Sequence, residues 1–303
     1  MSRSAVVILD GGLSNALEER GHDLSGDLWT ARFLRDAPSE IAAVHRTYFR
    51  AGAQVATTAS YQASLEGFSR LGLSRADADA LIGHSVLLAR EVRDDLAEDG
   101  VERWVAASVG PYGAALADGS EYRGRYGVTA AHLRAFHRPR LELLASAGPD
   151  LVAVETIPDV DEAAVLVELL DEIGLPAWFS YSAERLKTRA GQPLEEAFRV
   201  AASARSVVAI GVNCCAPGDV LPAVRLAVET GLPAVAYPNR GESWDPIRHA
   251  WTGPSGFDPA LGTAWVDAGA RYVGGCCRVG PTDIAALAEA VLGSPDRAWH
   301  VAF

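Results

Sequence analysis

The sequence predicts an α/β fold: a single (β/α)8 TIM barrel, with residues 1–303 forming one domain. Three observations predict it. Eight short runs rich in Val, Ala and Ile are mostly continuous in their apolar character, as strands buried on both faces of a parallel sheet are. Amphipathic segments with recognisable caps lie between them. The connections from helix back to strand are short, which suits repeated strand–helix units in a chain of 303 residues.

In order, the runs are "AVVILDGG" (5–12), "AQVATTAS" (53–60), "WVAASVGP" (104–111), "DLVAVETIP" (150–158), "AWFSYS" (177–182), "VVAIGVNC" (207–214), "PAVAYPN" (233–239) and "RYVGGCC" (271–277). Among the helical segments, "PDVDEAAVLVELLDEIG" opens on Pro and acids and stops at Gly174. "APGDVLPAVRLAVETG" stops at Gly231 and "GPTDIAALAEAVLG" at Gly293. "AGAQVA", "AGPDLVAV" and "AGARYV" share one reading, a C-cap glycine leading straight into a strand. Pro139 interrupts "AAHLRAFHRPRLELLASAG", which predicts a kink or two helices there. An open doubly wound sheet is the competing fold. It usually has fewer strands and a phosphate-binding Gly loop after the first, and "DGGLSNAL" lacks the G-x-G-x-x-G spacing.

Composition narrows the function. There are 27 Lys and Arg against 39 Asp and Glu, a net charge of −12, so nucleic acid and anionic membranes are poor partners. "MSRSAVVILDGG" lacks the long apolar region and cleavage site of a signal peptide, and no stretch of about 18 apolar residues suggests a membrane span. The expectation is a cytoplasmic, reducing compartment, where free thiols or metal thiolates are favoured over disulfides.

Chemistry in such a barrel gathers at the C-terminal ends of the strands. All four cysteines fall there, as Asn213-Cys214-Cys215 after the sixth run and Gly275-Cys276-Cys277 after the eighth. Thiolates from two strand ends suit a soft or borderline metal, with Zn²⁺ the default. C-x₂₋₄-C knuckles of structural zinc are absent, and three protein ligands would leave a fourth position open, as in a catalytic site. From spacing alone, buried packing thiols and a vicinal disulfide remain alternatives. Zn²⁺ with three thiolates carries a net charge of −1, making it a weak Lewis acid that still binds an incoming thiol as thiolate. A free thiol, with pKa about 8.5, is mostly protonated at neutral pH. An anionic centre that activates a thiol and attracts a cationic electrophile suits alkyl transfer to sulfur.

The other strand-end groups suit an amino-acid substrate. Asp10 and Glu155 can pair with an α-ammonium, and backbone amides near Gly11 and Gly12 can take a carboxylate. Trp29 and Tyr61 are aromatic candidates for holding an onium group. Asn213 is a further substrate candidate. Each has a plainer reading: Asp10 as a turn or helix cap, Glu155 as an ion-pair partner, Trp29 as a packed helix face, and Asn213 as a shaper of the strand end.

Several motifs in one order over nearly the whole chain resemble the homocysteine S-methyltransferase family: "LDGG" (9–12), "TASYQAS" (58–64), "GPYGAALADGSEYRGRY" (110–126), "ETIPD" (155–159), "GVNC" (211–214), "YPNRGESWD" (237–245) and "GGCCR" (274–278). "GVNC" with "GGCC" at this separation is the specific part. The match around "GPYGAALADGSEY" is similar to the branch using S-methylmethionine or S-adenosylmethionine. The resemblance implies one catalytic Zn²⁺ on Cys214, Cys276 and Cys277, and a homocysteine amine on Asp10 and Glu155. The reaction it implies is in-line methyl transfer from a sulfonium to zinc-bound homocysteine thiolate, giving methionine. Two departures stand out. The family usually has Asn where Ala59 stands, which removes a polar contact. It often has a small residue where Arg240 stands, which adds a cation near the mouth. Cys215 lies outside the shared motif and reads as a packing thiol. The alternatives are a selenocysteine acceptor, a betaine-type donor, a non-catalytic barrel with Cys215 as fourth zinc ligand, and a redox dithiol protein.

Overall fold

The computed structural model describes residues 6–24, 29–245 and 250–293; for residues 29, 243–245, 250 and 251 this holds for the backbone alone. Eight parallel strands form one sheet: β1 (Val7–Ile8), β2 (Val55–Thr57), β3 (Trp104–Val109), β4 (Leu151–Ile157), β5 (Ala177–Tyr181), β6 (Val207–Asn213), β7 (Ala234–Tyr237) and β8 (Ala270–Val273). Their order is β1-β8-β7-β6-β5-β4-β3-β2. The two outer strands meet through a parallel bridge between Leu9 and Val55, which closes the barrel. At that junction the Gln54 amide donates to the Ile8 carbonyl at 2.7 Å, and Gln54 Oε1 accepts the Ile8 amide at 3.2 Å.

The continuous apolar runs follow from burial on both faces. Val7, Leu9, Val55, Trp104, Ala106, Leu151, Ala153, Trp178, Ala209, Val235, Tyr237 and Tyr272 form one cluster inside the barrel. Their neighbours in the strands, such as Ile8, Val105, Ala107, Val152 and Val154, join the larger layer beneath the helices. Fully burying one such Val or Leu side chain is worth about 1.5–3 kcal/mol. Trp178 extends its Nε1–H to the Tyr237 hydroxyl at 2.9 Å, so these two aromatics inside the barrel meet polar edge to polar edge.

The helix endings follow the sequence. Gly52, Gly148 and Gly269 have φ of +98°, +73° and +117°, and each sits just before a strand. Asp159 opens the helix Val160–Ile173 by accepting the Asp161 amide at 3.1 Å. Pro139 departs from expectation. One helix, Ala130–Ser146, runs through it, held against the barrel by buried Leu133, Phe136, His137, Arg140, Leu141 and Leu144 on both sides of the proline. Tertiary packing therefore outweighs the lost amide hydrogen bond. Two short hairpins sit beyond strand ends: Ala183–Glu184 with Lys187–Thr188, and Ser243–Asp245 with Ala250–Thr252. No helix among the described residues is long and apolar enough to cross a membrane.

Candidate active site

One cavity opens among the C-terminal strand ends, lined in part by Asp10, Gly11, Gly12, Tyr61, Glu155, Cys214, Cys276 and Cys277. β6 delivers Cys214 through a left-handed residue, φ +49°. That turn sends successive side chains apart. Cys214 joins the cavity, whereas Cys215 is 1% exposed and packs in the layer beneath the helices. After β8 the chain folds back so closely that a Cβ on Gly275 would lie 2.1 Å from Val279 Cγ1. Only glycine allows this return. The Cys276 amide donates to the Pro238 carbonyl at 2.8 Å, the Cys277 amide to Asn239 Oδ1 at 3.2 Å, and the Arg278 amide to Asn15 Oδ1 at 2.6 Å. The cysteine segment is thus fastened to the end of β7 and to the helix Leu13–Glu19 that follows β1.

The sulfurs of Cys214, Cys276 and Cys277 all lie within 4.8 Å of one another, and those of Cys214 and Cys277 are 3.8 Å apart. A tetrahedral ion with Zn–S bonds of about 2.3 Å holds its sulfurs about 3.8 Å apart, so this donor set fits a thiophilic metal. As thiols the three share protons. Hydrogen bonds from Cys276 and Cys277 hold Cys214 well below the usual thiol range, while those two are pushed up by giving protons to it. Burial pushes the Cys215 thiol up, with the neighbouring Cys214 adding to the effect. The histidines of the described residues do not line the cavity.

Asp10 follows β1 and is 5% exposed. Its Oδ2 accepts the Thr57 amide at 2.7 Å and its Oδ1 the Thr57 hydroxyl at 2.8 Å. It caps no helix: Gly12 precedes the helix Leu13–Glu19 without a side-chain cap. Burial pushes the Asp10 carboxyl up to about 7, against the lowering effect of the two Thr57 hydrogen bonds. Glu155, in β4, accepts the Ser108 hydroxyl, and burial likewise pushes it up to about 7. Two carboxyls poised near neutrality in one cavity can receive a cation, which would favour their ionised form.

Asn213 stands one layer behind the cavity. Its Oδ1 accepts the Thr156 amide at 2.7 Å and the Ser180 hydroxyl at 2.9 Å, and its Nδ2 donates to Thr156 Oγ1 at 2.8 Å. Thr156 has φ +61°, and the pairing of β4 with β5 shifts register between Val154 and Ile157. Asn213 therefore secures the irregularity beside Glu155, the shaping role among its sequence readings.

Other expectations need revision. The Gly12 amide donates to the Val279 carbonyl at 3.0 Å, so it is already used and is not the carboxylate donor the sequence suggested. Gly11 and the start of the helix Leu13–Glu19, where first-turn amides lack intrahelical acceptors, still line the cavity. Arg240 is not a loose cation. Its Nε lies 3.9 Å from Glu242 Oε1 and 3.8 Å from Asp283 Oδ2, so its charge is matched locally. Ala59 is buried in the cavity wall as a small apolar residue. Tyr61 packs over Gly110, where a Cβ would approach its ring to 2.6 Å. Trp29 opens a short 3₁₀ turn at Trp29–Arg32; its side chain lies outside the described residues, and Thr30 of the same turn lines the cavity. Sequence reasoning missed Tyr122, Thr57, Ser108 and Asn15. The "GSEY" stretch and the hydroxyl residues within the otherwise apolar β2 and β3 were the available signals, but only folding shows which of them turn inward.

A family model described as homocysteine S-methyltransferase matches residues 7–291. The homocysteine S-methyltransferase of Escherichia coli K12 is 44% identical, over 95% of this chain and 96% of its own. The homocysteine S-methyltransferase YbgG of Bacillus subtilis 168 is 42% identical over 93% of each chain. A selenocysteine Se-methyltransferase of Brassica oleracea is 40% identical, over 93% of this chain and 87% of its own. The crystal structure of the Escherichia coli homocysteine methyltransferase MmuM in its metallated form superposes with a TM-score of 0.83 at 42% identity, covering 94% of this chain and 96% of that one. With sequence and fold in agreement over nearly its whole length, this chain belongs to the homocysteine S-methyltransferase family.

Proposed function

We propose that this chain is a zinc-dependent methyltransferase that moves a methyl group from a sulfonium, S-methylmethionine or S-adenosylmethionine, to the thiol of L-homocysteine, forming methionine. The observation that carries the reading is the trio of sulfurs within 4.8 Å of one another, in a cavity also walled by Asp10 and Glu155. Cys214, Cys276 and Cys277 would hold Zn²⁺, which when bound lets a thiol dock in its deprotonated, nucleophilic form near neutral pH.

The remaining work falls to the chain. Asp10 and Glu155 take the homocysteine ammonium, and Thr57 and Ser108 hold those carboxylates in place. Amides at Gly11 and the first turn after it take the carboxylate. With both ends of the amino acid fixed, its sulfur reaches toward the thiol trio, and the gain is one of positioning. The carbon–sulfur bond of the sulfonium breaks as the new sulfur–methyl bond forms. The electron pair leaves with the donor's thioether, and the homocysteine thiol proton passes to solvent. All of this sits in one domain, and three reduced thiols are suited to a cytoplasmic setting.

A selenol would meet the same groups, and the Brassica relative's name favours selenocysteine as a second acceptor. The test is methionine formation from homocysteine with S-methylmethionine, S-adenosylmethionine or betaine, with and without chelator, and with the bound metal quantified. Turnover with a sulfonium that chelation abolishes and zinc restores is expected. Turnover unaffected by complete metal removal would overturn the role of the thiol trio.

A further inference from the structure

The loop between β3 and the helix Ala130–Ser146 is built more firmly than a connection requires. Glu162 accepts the Tyr112 amide at 2.6 Å and the Tyr126 hydroxyl at 3.2 Å, while facing His137 Nε2 at 2.8 Å. Asp159 accepts the Arg125 amide at 3.0 Å. Gly113 lies so near the Glu121 amide that a Cβ would come within 2.5 Å of it. None of these residues belongs to the thiol trio or to the carboxyls proposed for the homocysteine ammonium.

What this loop delivers is Tyr122. Its hydroxyl is 3.6 Å from Cys214 Sγ, yet the residue is 41% exposed. One end of the side chain touches a proposed metal ligand, and the rest stands at the mouth of the cavity it lines. With Cys214 as thiolate the hydroxyl is the donor, so the O–H···S bond fixes the ring. Tyr61, from the loop after β2, lines the same cavity. In the same turn Glu121 is 2% exposed, and its Oε2 has no hydrogen-bond partner among the described residues. A methyl donor must enter from solvent with a full positive charge and stop with its methyl group at the homocysteine sulfur. An aromatic ring anchored on a thiolate at that entrance is suited to an onium cation.

We propose that Tyr122 is the residue that receives the donor's sulfonium, held in register by its hydrogen bond to Cys214. The inference rests on the function proposed above and adds a donor-side specificity residue to it. Two variants separate the ring from the hydroxyl. Tyr122→Leu should raise the donor KM about tenfold, while homocysteine affinity, titrated calorimetrically on the zinc protein without donor, stays within about twofold. Tyr122→Phe, which keeps the ring but loses its anchor, should raise donor KM less, by about threefold, and shift the thiolate-to-metal absorption band of the cobalt-substituted protein, a readout that needs no turnover. An unchanged donor KM in Tyr122→Leu, or equal loss of homocysteine affinity, would overturn the assignment of the ring. An unmoved cobalt band in Tyr122→Phe would overturn the hydrogen bond. If the unmodified protein made no methionine from any sulfonium, the broader function would fail instead, so the two failures are distinguishable.

Discussion

Asn213 Oδ1 accepts the Thr156 amide at 2.7 Å while its Nδ2 donates to Thr156 Oγ1 at 2.8 Å, so the residue before Cys214 on β6 clasps the residue after Glu155 on β4. Thiol side and carboxyl side of the cavity are thereby set against each other by one buried amide.

That clasp predicts the behaviour of Asn213→Ala. The Thr156 amide would be left buried without its acceptor, at a cost of about 1–3 kcal/mol. Homocysteine KM should rise about tenfold or more as Glu155 loses its support, while metal content stays that of the unmodified protein. Calorimetry and metal analysis read the two effects separately, and loss of metal with unchanged KM would contradict the positioning role.

The two vicinal cysteine pairs should behave differently. Cys276→Ser is expected to lose both metal and turnover. Cys215→Ala should keep both and lose only about 1–2 kcal/mol of packing, because its sulfur faces the layer beneath the helices. Metal stoichiometry of the two purified variants is the check. Metal loss from Cys215→Ala would favour a site with four protein ligands.

The carboxyls give a pH dependence with a definite sign. Asp10 and Glu155 are both raised to about 7, so at pH 6 each is largely protonated in the free protein and must lose its proton to pair with an ammonium. Homocysteine affinity should weaken as pH falls through 7, as a pH series of calorimetric titrations would show. For stability the folded state holds these protons where the unfolded chain has released them. Their penalty is absent below about pH 4, grows as pH rises to 7, and is complete above it. Glu155→Gln should accordingly raise thermal stability at pH 8, by at most about 3 kcal/mol, while weakening homocysteine binding.

His45 gives the opposite slope. It is fully buried, neither ring nitrogen has a partner among the described residues, and burial lowers its pKa to about 4. The unfolded chain takes up this proton first, so the stability His45 contributes above pH 6.5 is lost as pH falls from there toward 4. His45→Leu should flatten the acid limb of a stability-against-pH curve by up to about 3 kcal/mol. An unchanged limb would show that the ring has found a partner in solution.

The barrel was legible because a parallel sheet covered on both faces writes itself as apolar runs with glycine stops, and Gly52, Gly148 and Gly269 keep the expected left-handed geometry. The meeting of Cys214, Cys276 and Cys277 in one cavity was legible because all three follow strand ends. Tyr122 and Thr57 were not. Tyr122 reaches Cys214 across 92 residues of sequence, and Thr57 reaches Asp10 across 47, with no local periodicity to announce either. Pro139 misled for a related reason, since a local rule about an isolated helix yields to contacts that only the assembled barrel supplies.

The bridge between Leu9 and Val55 has a consequence for how the molecule breathes. Asp10 and Thr57 continue that junction, so the carboxyl proposed to hold the substrate ammonium also laces the barrel's seam. β1 has only two residues, which makes this the thinnest stretch of the wall. Amides along it, Gln54 and Thr57 among them, should exchange with solvent ahead of those in β4 and β5, and homocysteine should slow them. Occupancy of the active centre and integrity of the cylinder would then be one equilibrium, with the first strand as its latch.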